Sequence, residues 1–304
     1  MPRDAHEAAR ARGRPGCRPR IGFGGRGRDA GARHRLVHVR LLGERAEVLC
    51  LRARLRVRLG PTRHEHPDLL LEFGAARKLG SSTWGAVDFS NTRFSNADIL
   101  GALKRAADGY HNCHVRGAVD IVYGNSNYHM SGSGMSTTDA WYAGYHQSER
   151  SEDLDHYQVS KGYSSQTSDA AADMEPSWDG QLITKQLVNG DQGHGWALYY
   201  DFGSADGCPQ TGSADGPCNN GWHVGDVGYV SFHGLALPLP EISYTANASQ
   251  WTVVQKWWNA NRGDYFFAGA TASTGVGLTP ATAWNTLNSL NSGLVDSELV
   301  CFGC

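Results

Sequence analysis

The sequence predicts an α/β fold over residues 81–296, a (β/α)-barrel of the TIM type in which one unit is irregular. From Trp84 onward, short apolar runs alternate with longer helical patterns, the order typical of βα units around a parallel sheet. An open doubly wound sheet is the alternative. It is disfavoured as a nucleotide-binding domain because Val87-Asp88-Phe89-Ser90-Asn91 follows the first run where a glycine-rich fingerprint is required. We therefore expect no cofactor.

Residues 1–80 differ in composition from the rest of the 304-residue chain. They contain 18 arginines and one lysine against eight acidic residues, and all nine tryptophans and twelve tyrosines come later. A segment with so little apolar surface is expected to be disordered. One interpretation is a basic arm for nucleic acid or anionic surfaces. We favour another, that GC-rich DNA has been translated in a wrong frame. Residues 297–304 are interpreted as a tail, and no nucleic-acid partner is expected for the barrel.

Within the barrel, each element is predicted from its pattern. The strand-like runs are 84–90, 117–123, 169–175, 195–202, 226–232, 241–245 and 265–270. The helical patterns between them are 96–107, 137–157, 180–188, 248–259 and 280–290. Asn247 and Thr279 are the N-caps expected for the last two helices, and Pro280 suits a first helical position.

The chain after residue 80 has the composition of a secreted protein. It is acidic, and Cys208 and Cys218 bracket a turn-rich loop that suits a local disulfide worth roughly 2–3 kcal/mol. No signal-peptide pattern stands at the printed N-terminus, and no apolar run is long enough to span a membrane. Secretion is therefore expected from composition, without membrane association, and the protein is expected to be a monomer.

Acidic and phenolic residues close four of the predicted strands, at the end where a parallel barrel carries its active site. They are expected to surround one cleft. The candidates are Asp88, the pair Asp173 and Glu175, Tyr200 with Asp201, and Glu241 with Tyr244.

The pair Asp173 and Glu175 points to the most specific chemistry. Residues two apart on a strand share a face, and neighbouring carboxyls push their pKa values apart. Glycoside hydrolysis uses such a division between a neutral acid and an ionised carboxylate. We expect Glu175, with its longer side chain, to be the acid and Asp173 to stay ionised through hydrogen bonds. Trp178 is placed to stack on a sugar ring.

Several of these motifs together resemble a known family. The chain is similar to family 25 glycoside hydrolases, the lysozyme-type muramidases, and more so to the glycoside-hydrolase-like barrels of secreted actinobacterial proteins. The resemblance covers residues 82–296 and rests on Val87-Asp88-Phe89-Ser90, Asp173-Met174-Glu175, Tyr199-Tyr200, Pro240-Glu241-Ile242-Ser243-Tyr244 and Gln250-Trp251. It implies a secreted hydrolase of peptidoglycan or another β-linked aminosugar polymer, with Glu175 as proton donor, Asp173 as second carboxylate and Asp88 as the acid of the first strand.

Two functions stay open from the sequence. The first is a secreted glycosidase that uses acid/base catalysis on a polysaccharide or peptidoglycan, and the second is a catalytically silent barrel that binds glycan or protein through aromatic loops. Other motifs are weaker. Ser131-Gly132-Ser133-Gly134 lacks the Gly-x-Ser-x-Gly pattern of a serine hydrolase, and His111 with His114 lacks a nearby carboxylate. We therefore expect no metal site.

Overall fold

The computed structural model describes residues 34–40, 68–113, 117–263, 265–273, 277–291 and 295–302. The strands are β1 His34–Arg40, β2 Asp68–Lys78, β3 Trp84–Val87, β4 Arg93–Ser95, β5 Val119–Ser126, β6 Gln166–Asp173, β7 Tyr199–Asp201, β8 Ala236–Pro238, β9 Phe267–Ser273 and β10 Val295–Phe302. The helices are α1 Asn96–Asn112, α2 Thr137–Ser160, α3 Gln181–His194, α4 Val224–Phe232, α5 Thr245–Arg262 and α6 Pro280–Leu290.

Eight of the strands form one parallel sheet in the order β8-β7-β6-β5-β2-β1-β10-β9. Just after β8, the chain contacts the strand at the other end of that order: Thr271 N donates to Pro240 O, and Ile242 N donates to Thr271 O, both at 2.8 Å. The predicted α/β class with a parallel sheet is confirmed.

The run 84–90 overlaps strand β3, but β3 is not the parallel barrel strand that the sequence predicts. Strand β3 runs antiparallel to the second half of β2, and β4 runs antiparallel to β3. The two form a hairpin beside the sheet, because β2 bends at Gly74, which adopts a φ of 93°. A β-carbon at Gly74 would lie 2.5 Å from the carbonyl oxygen of Val87, so glycine is required for this close approach.

Three strands of the sheet, β1, β2 and β10, lie wholly or partly outside the predicted barrel limits. Strand β2 precedes the boundary at residue 80, and β10 passes the boundary at residue 296. Both boundaries therefore cut through the sheet. The arginine content of the preceding residues hid the buried run Leu69-Leu70-Leu71, and the basic segment itself contributes β1. For the rest of residues 1–67, the predictions of disorder or a wrong reading frame concern residues outside the described ranges.

The predicted strand 226–232 is the helix α4. Its buried positions Val224, Val227 and Val230 follow helical spacing, and the carboxylate of Asp226 accepts from His223 N at 2.8 Å in a capping box. Gly225 and Gly228 lie against the rings of Trp257 and Trp258, where a β-carbon would approach ring atoms to 2.7 Å. These glycines lower helix propensity but allow α4 to pack closely on α5.

The remaining predictions are largely confirmed in position. Runs 117–123, 169–175, 195–202 and 265–270 overlap β5, β6, β7 and β9, and every predicted helix is present. The run 241–245 makes only a bridge at Glu241 before α5 begins at Thr245. Asn247 is therefore in the first turn of α5, where its Oδ1 accepts from Tyr244 N. Helix α6 has the predicted limits, with the Thr279 cap and Pro280.

Helices α2 and α3 pack through two glycines. A β-carbon at Gly144 of α2 would lie 1.9 Å from the carbonyl oxygen of Leu187, and one at Gly190 of α3 would lie 1.8 Å from that of Trp141. The helix backbones are therefore in direct contact, a separation that no larger residue permits at these positions.

The predicted disulfide between Cys208 and Cys218 is confirmed. It closes the loop that follows β7, and Gln250 of α5 donates to the carbonyl oxygen of Cys208 at 3.1 Å. Among the described helices, none combines the length and the apolar character that a membrane span requires.

Candidate active site

Four carboxylates meet at the carboxyl end of the parallel sheet, and we call them the carboxylate cluster. Glu72 lies where β2 leaves its parallel neighbours, Asp173 ends β6, Glu175 follows it, and Glu241 follows β8. Alternation along β6 places Asp173 on the face of Ala171, which packs with Leu70, Val122 and Tyr200 in one core of the sheet. Glu175 follows two residues after Asp173, and its charge raises the pKa of Asp173. The predicted pair therefore lies near two further acids.

Burial and the charges of neighbouring carboxylates raise the pKa values of Asp173, Glu175 and Glu241. Burial raises the pKa of Glu175 to about 8, and the charges of Asp206, Glu241, Asp201 and Glu72 act in the same direction. Burial also raises the pKa of Glu241. A hydrogen bond that Ser243 Oγ donates to Glu241 at 3.1 Å acts in the opposite direction, because it stabilises the ionised form. At neutral pH the cluster therefore holds at least one proton, and Glu175 is a carboxylic acid that can donate it.

The expectation that Asp173 stays ionised is wrong. Burial, followed by the charges of Glu175, Glu72 and Glu241, raises the pKa of Asp173 well above its ordinary value. Its Oδ1 atom is enclosed and accepts no hydrogen bond within the described part of the chain. A carboxyl group that lacks donors and lies beside other acids is more stable when neutral.

Asn127, which follows β5, holds the backbone of Glu175 from both sides. Its Nδ2 donates to Glu175 O at 3.0 Å and its Oδ1 accepts from Glu175 N at 3.1 Å. The side chain is fully buried, and Nδ2 also donates to Thr184 Oγ1 of α3. The position of Glu175 is therefore fixed by an amide from the neighbouring strand end.

We expect Asn127→Ala to lower the free energy of unfolding by about 1–3 kcal/mol, because Glu175 N, Glu175 O and Thr184 Oγ1 lose their hydrogen bonds to this buried side chain. Urea unfolding measures the change. Asn261→Ala, at an exposed position of α5, is the control because the one side-chain bond it makes with the described residues is to a backbone carbonyl of the same helix. Equal stability of Asn127→Ala and wild type would contradict the proposed support of the Glu175 backbone.

The raised pKa of Glu175 also predicts a pH-dependent stability. Between its ordinary pKa of 4.5 and about 8, the folded state binds the proton more tightly, so stability falls as pH rises through this window. Glu175→Gln cannot ionise. We expect it to raise the unfolding free energy by about 1–3 kcal/mol at pH 8 and to change nothing near pH 4.

Thermal unfolding over this pH range checks the expectation. Glu149→Gln is the control, because Glu149 lies on α2 in a surface ion pair with Arg150 at 2.7 Å and is expected to give no gain at pH 8. A uniform effect of Glu175→Gln at pH 4 and pH 8 would mean that Glu175 titrates normally.

Asp88 does not occupy the predicted position at the end of a barrel strand. It lies in the turn between β3 and β4, where its Oδ1 accepts from the backbone N–H groups of Ser90 and Thr92, both at 2.8 Å. The carboxylate that was expected from Asp88, at the end of a barrel strand, is instead that of Glu72 on β2. The signal was present in the sequence, because Leu69-Leu70-Leu71-Glu72 is an apolar run closed by an acid, but it lies before the boundary drawn at residue 80.

Tyr200 and Asp201 face opposite sides of β7, as consecutive strand residues must. Tyr200 is 8% exposed and packs in the core that contains Leu70, Val122 and Ala171. Asp201 is fully buried towards α4, where Ser231 Oγ donates to its Oδ2 at 2.5 Å. Burial raises the pKa of Asp201 to about 7. The prediction that Asp201 binds substrate in the cleft is therefore wrong.

Three aromatic side chains form a second feature at this end of the sheet, which we call the aromatic rim. Ring centroids are 5.3 Å apart for Phe89 and Tyr128, 5.5 Å for Tyr128 and Trp178, and 6.1 Å for Phe89 and Trp178. Phe89 is 43% exposed. Trp178, a predicted sugar contact, is thus part of a partly exposed aromatic surface. Tyr244, also predicted, precedes α5 and is 58% exposed.

Comparisons with known proteins bear on the fold. No protein-family model matches the chain, and no curated protein matches its sequence. Among solved structures, the chain is similar to the homocysteine methyltransferase MmuM from Escherichia coli, with a TM-score of 0.50 and 8% identity over 90% of this chain and 92% of that one. Identity this low concerns the fold alone.

Two further structures are less similar. One is an endo-1,4-beta-D-mannanase from Thermotoga petrophila RKU-1, with a TM-score of 0.40 and 8% identity over 77% of this chain and 79% of that one. The other is a mandelate racemase/muconate lactonizing enzyme from Jannaschia sp. CCS1, with a TM-score of 0.38 and 10% identity over 90% of this chain and 55% of that one. The similar structures are TIM-barrel enzymes. None of these matches points to family 25 of the glycoside hydrolases.

Proposed function

We propose that the protein is a glycoside hydrolase whose acid is Glu175. The observation that carries the proposal is the carboxylate cluster, in which Glu175, with a pKa of about 8, lies beside other acids at the carboxyl end of a parallel sheet. A carboxylic acid that stays protonated at neutral pH beside an ionisable partner is what glycosidic bond cleavage requires. We also infer that the contact between Glu241 and Thr271 closes the sheet into a barrel.

Glu241 is the partner we favour, in place of Asp173. Its ionised form receives a hydrogen bond from Ser243, whereas Asp173 is buried among acids. In the proposed reaction, Glu175 gives its proton to the leaving oxygen as the bond from that oxygen to the anomeric carbon breaks. The Glu241 carboxylate stabilises the positive charge on the sugar, and water supplies the new oxygen and returns a proton to the cluster.

The aromatic rim supports a sugar polymer as the substrate. Aromatic faces stack on the apolar faces of sugar rings, and Phe89 and Trp178 lie on the loops that follow β3 and β6. The disulfide in the loop after β7 suits an oxidising compartment, which favours action outside the cell. We therefore propose a secreted enzyme acting on a cell-wall or other β-linked aminosugar polymer.

Clearing of bacterial cell-wall suspensions and a panel of purified polysaccharides test the activity directly. Release of new reducing ends by wild type, and its loss in Glu175→Gln, is the expected result. The Glu149→Gln variant is the control and is expected to keep full activity. No reducing ends from any polymer would reject the hydrolase.

A catalytically silent glycan-binding barrel is the second candidate, and the aromatic rim is the observation that favours it. In that case Trp178→Ala should abolish binding to an insoluble polymer in a sedimentation assay, while wild type binds without turnover. Binding with turnover supports the hydrolase, and the two candidates are thereby separated.

A further inference from the structure

A cavity of about 550 Å³ lies beside the aromatic rim, and we call it the basic pocket. It is formed at the end of β2, by the β3–β4 hairpin and by the loop that follows β5. Of the ten described residues that line it, three are cations, Arg77, Lys78 and Arg93, and none is an acid. A cavity of this size accommodates a monosaccharide unit with a charged substituent.

The charges of the basic pocket are only partly neutralised. Lys78 forms an ion pair with Asp139 at 2.6 Å. Both terminal nitrogens of Arg77 donate to backbone carbonyl oxygens, those of Ala76 and Tyr128, at 2.8 and 2.7 Å. Arg93 is exposed, and although its backbone pairs with Val87, its guanidinium makes no hydrogen bond or ion pair with the described residues. Positive charge is therefore left for a bound group.

The partial burial of Arg77 strengthens this argument. Burial lowers the pKa of its guanidinium, although the charge of Asp179 acts in the opposite direction. An anion stabilises a cation that has lost part of its hydration more than it stabilises a fully hydrated cation.

The basic pocket adjoins the carboxylate cluster through one stretch of chain. Asn127 holds the backbone of Glu175, and the next residue, Tyr128, lines the pocket and contacts Trp178 in the aromatic rim. A polymer lying on the rim would therefore have one unit near Glu175 and another near the three cations.

We propose that the basic pocket binds an anionic substituent of the substrate, so that the polymer cleaved is an acidic glycan with a carboxylate or phosphate group. This inference rests on the proposed function for its substrate, although the pocket itself can be tested without catalysis. Arg93 and Arg77 bind the anion, and Tyr128 separates it from the reacting sugar.

Isothermal titration calorimetry on the Glu175→Gln protein tests the pocket, because the cluster is then inactive and only binding is measured. The probes are D-glucuronate and inorganic phosphate, with D-glucose as the neutral match. We expect saturable binding of an anion, none of D-glucose, and binding at least about tenfold weaker after Arg93→Gln, since a charge-assisted hydrogen bond is lost. Tighter binding of glucuronate assigns a carboxylate, and tighter binding of phosphate assigns a phosphoryl group.

Arg262→Gln, at the exposed end of α5, is the matched control and is expected to leave anion binding unchanged. The absence of saturable anion binding, or equal binding before and after Arg93→Gln, would overturn the proposal. Anion binding by a protein that hydrolyses no polymer would reject the hydrolase and keep the pocket. Hydrolysis of a polymer without anion binding would reject the anion site in the basic pocket and keep the hydrolase.

Discussion

Replacing Glu175 by glutamine is expected to slow hydrolysis of a natural polymer by about 10²–10⁴, the usual contribution of general acid catalysis. Aryl glycosides with an acidic phenol should keep much of their rate, because such a leaving group departs without a proton. For wild type, kcat/KM on the polymer should fall as pH rises past about 8, where Glu175 loses its proton. Steady-state kinetics on both substrates measure the effect.

Kinetics on the two substrates also distinguish the role of Glu175 from the roles of the other carboxylates in the cluster. Glu241→Gln should lower the rates on the polymer and on the aryl glycoside by similar factors, because the carboxylate is needed whichever group leaves. Equal losses on both substrates for Glu175→Gln would assign the acid elsewhere in the carboxylate cluster, with Asp173 as the next candidate. An unchanged rate on the polymer would remove Glu175 from the mechanism.

Replacing Gly144 by alanine is expected to lower the free energy of unfolding by about 3 kcal/mol or more, since the new β-carbon would overlap the carbonyl oxygen of Leu187. Helices α2 and α3 would have to separate along the contact that covers β6. For a chain of this size the melting temperature should fall by roughly 6–12 °C. Differential scanning calorimetry measures both quantities.

Gly109→Ala in α1 is the matched control. Among the described residues, no atom outside the surrounding helical turns lies within 4 Å of a β-carbon built at this position, and alanine is favoured over glycine inside a helix by about 0.5–1 kcal/mol. The control should therefore be slightly more stable than wild type. A Gly144→Ala protein as stable as wild type would contradict the direct backbone contact between α2 and α3.

Local patterns predicted much of the fold and part of the carboxylate cluster. Helix α6 was predicted at its full length because Thr279 and Pro280 mark its start. Asp173 and Glu175 were found because an apolar strand ends in two acids, and the period of two places them on one face. These features depend only on residues that are close in sequence.

The errors arise where the decisive contact is distant or the composition misleads. The sequence does not predict Glu72 as a site residue, because arginines dominate the composition before β2. It predicts Asp88 as the acid of the first barrel strand, because a strand's direction in a sheet cannot be read from the strand's own residues. Helix α4 resembled a strand because Gly225 and Gly228 serve a contact with α5. The ionised state assigned to Asp173 was wrong because burial and neighbouring charges set its pKa.

The pairing of β1 with β10 has a consequence for how the chain is made. About 250 residues separate these neighbouring strands, so a ribosome must synthesise all of them after β1 before the two strands can meet. At about 5–20 residues per second, this leaves an unpaired strand edge exposed for tens of seconds during translation. The nascent chain should therefore bind chaperones until β10 emerges from the ribosome, and release from them should follow that emergence.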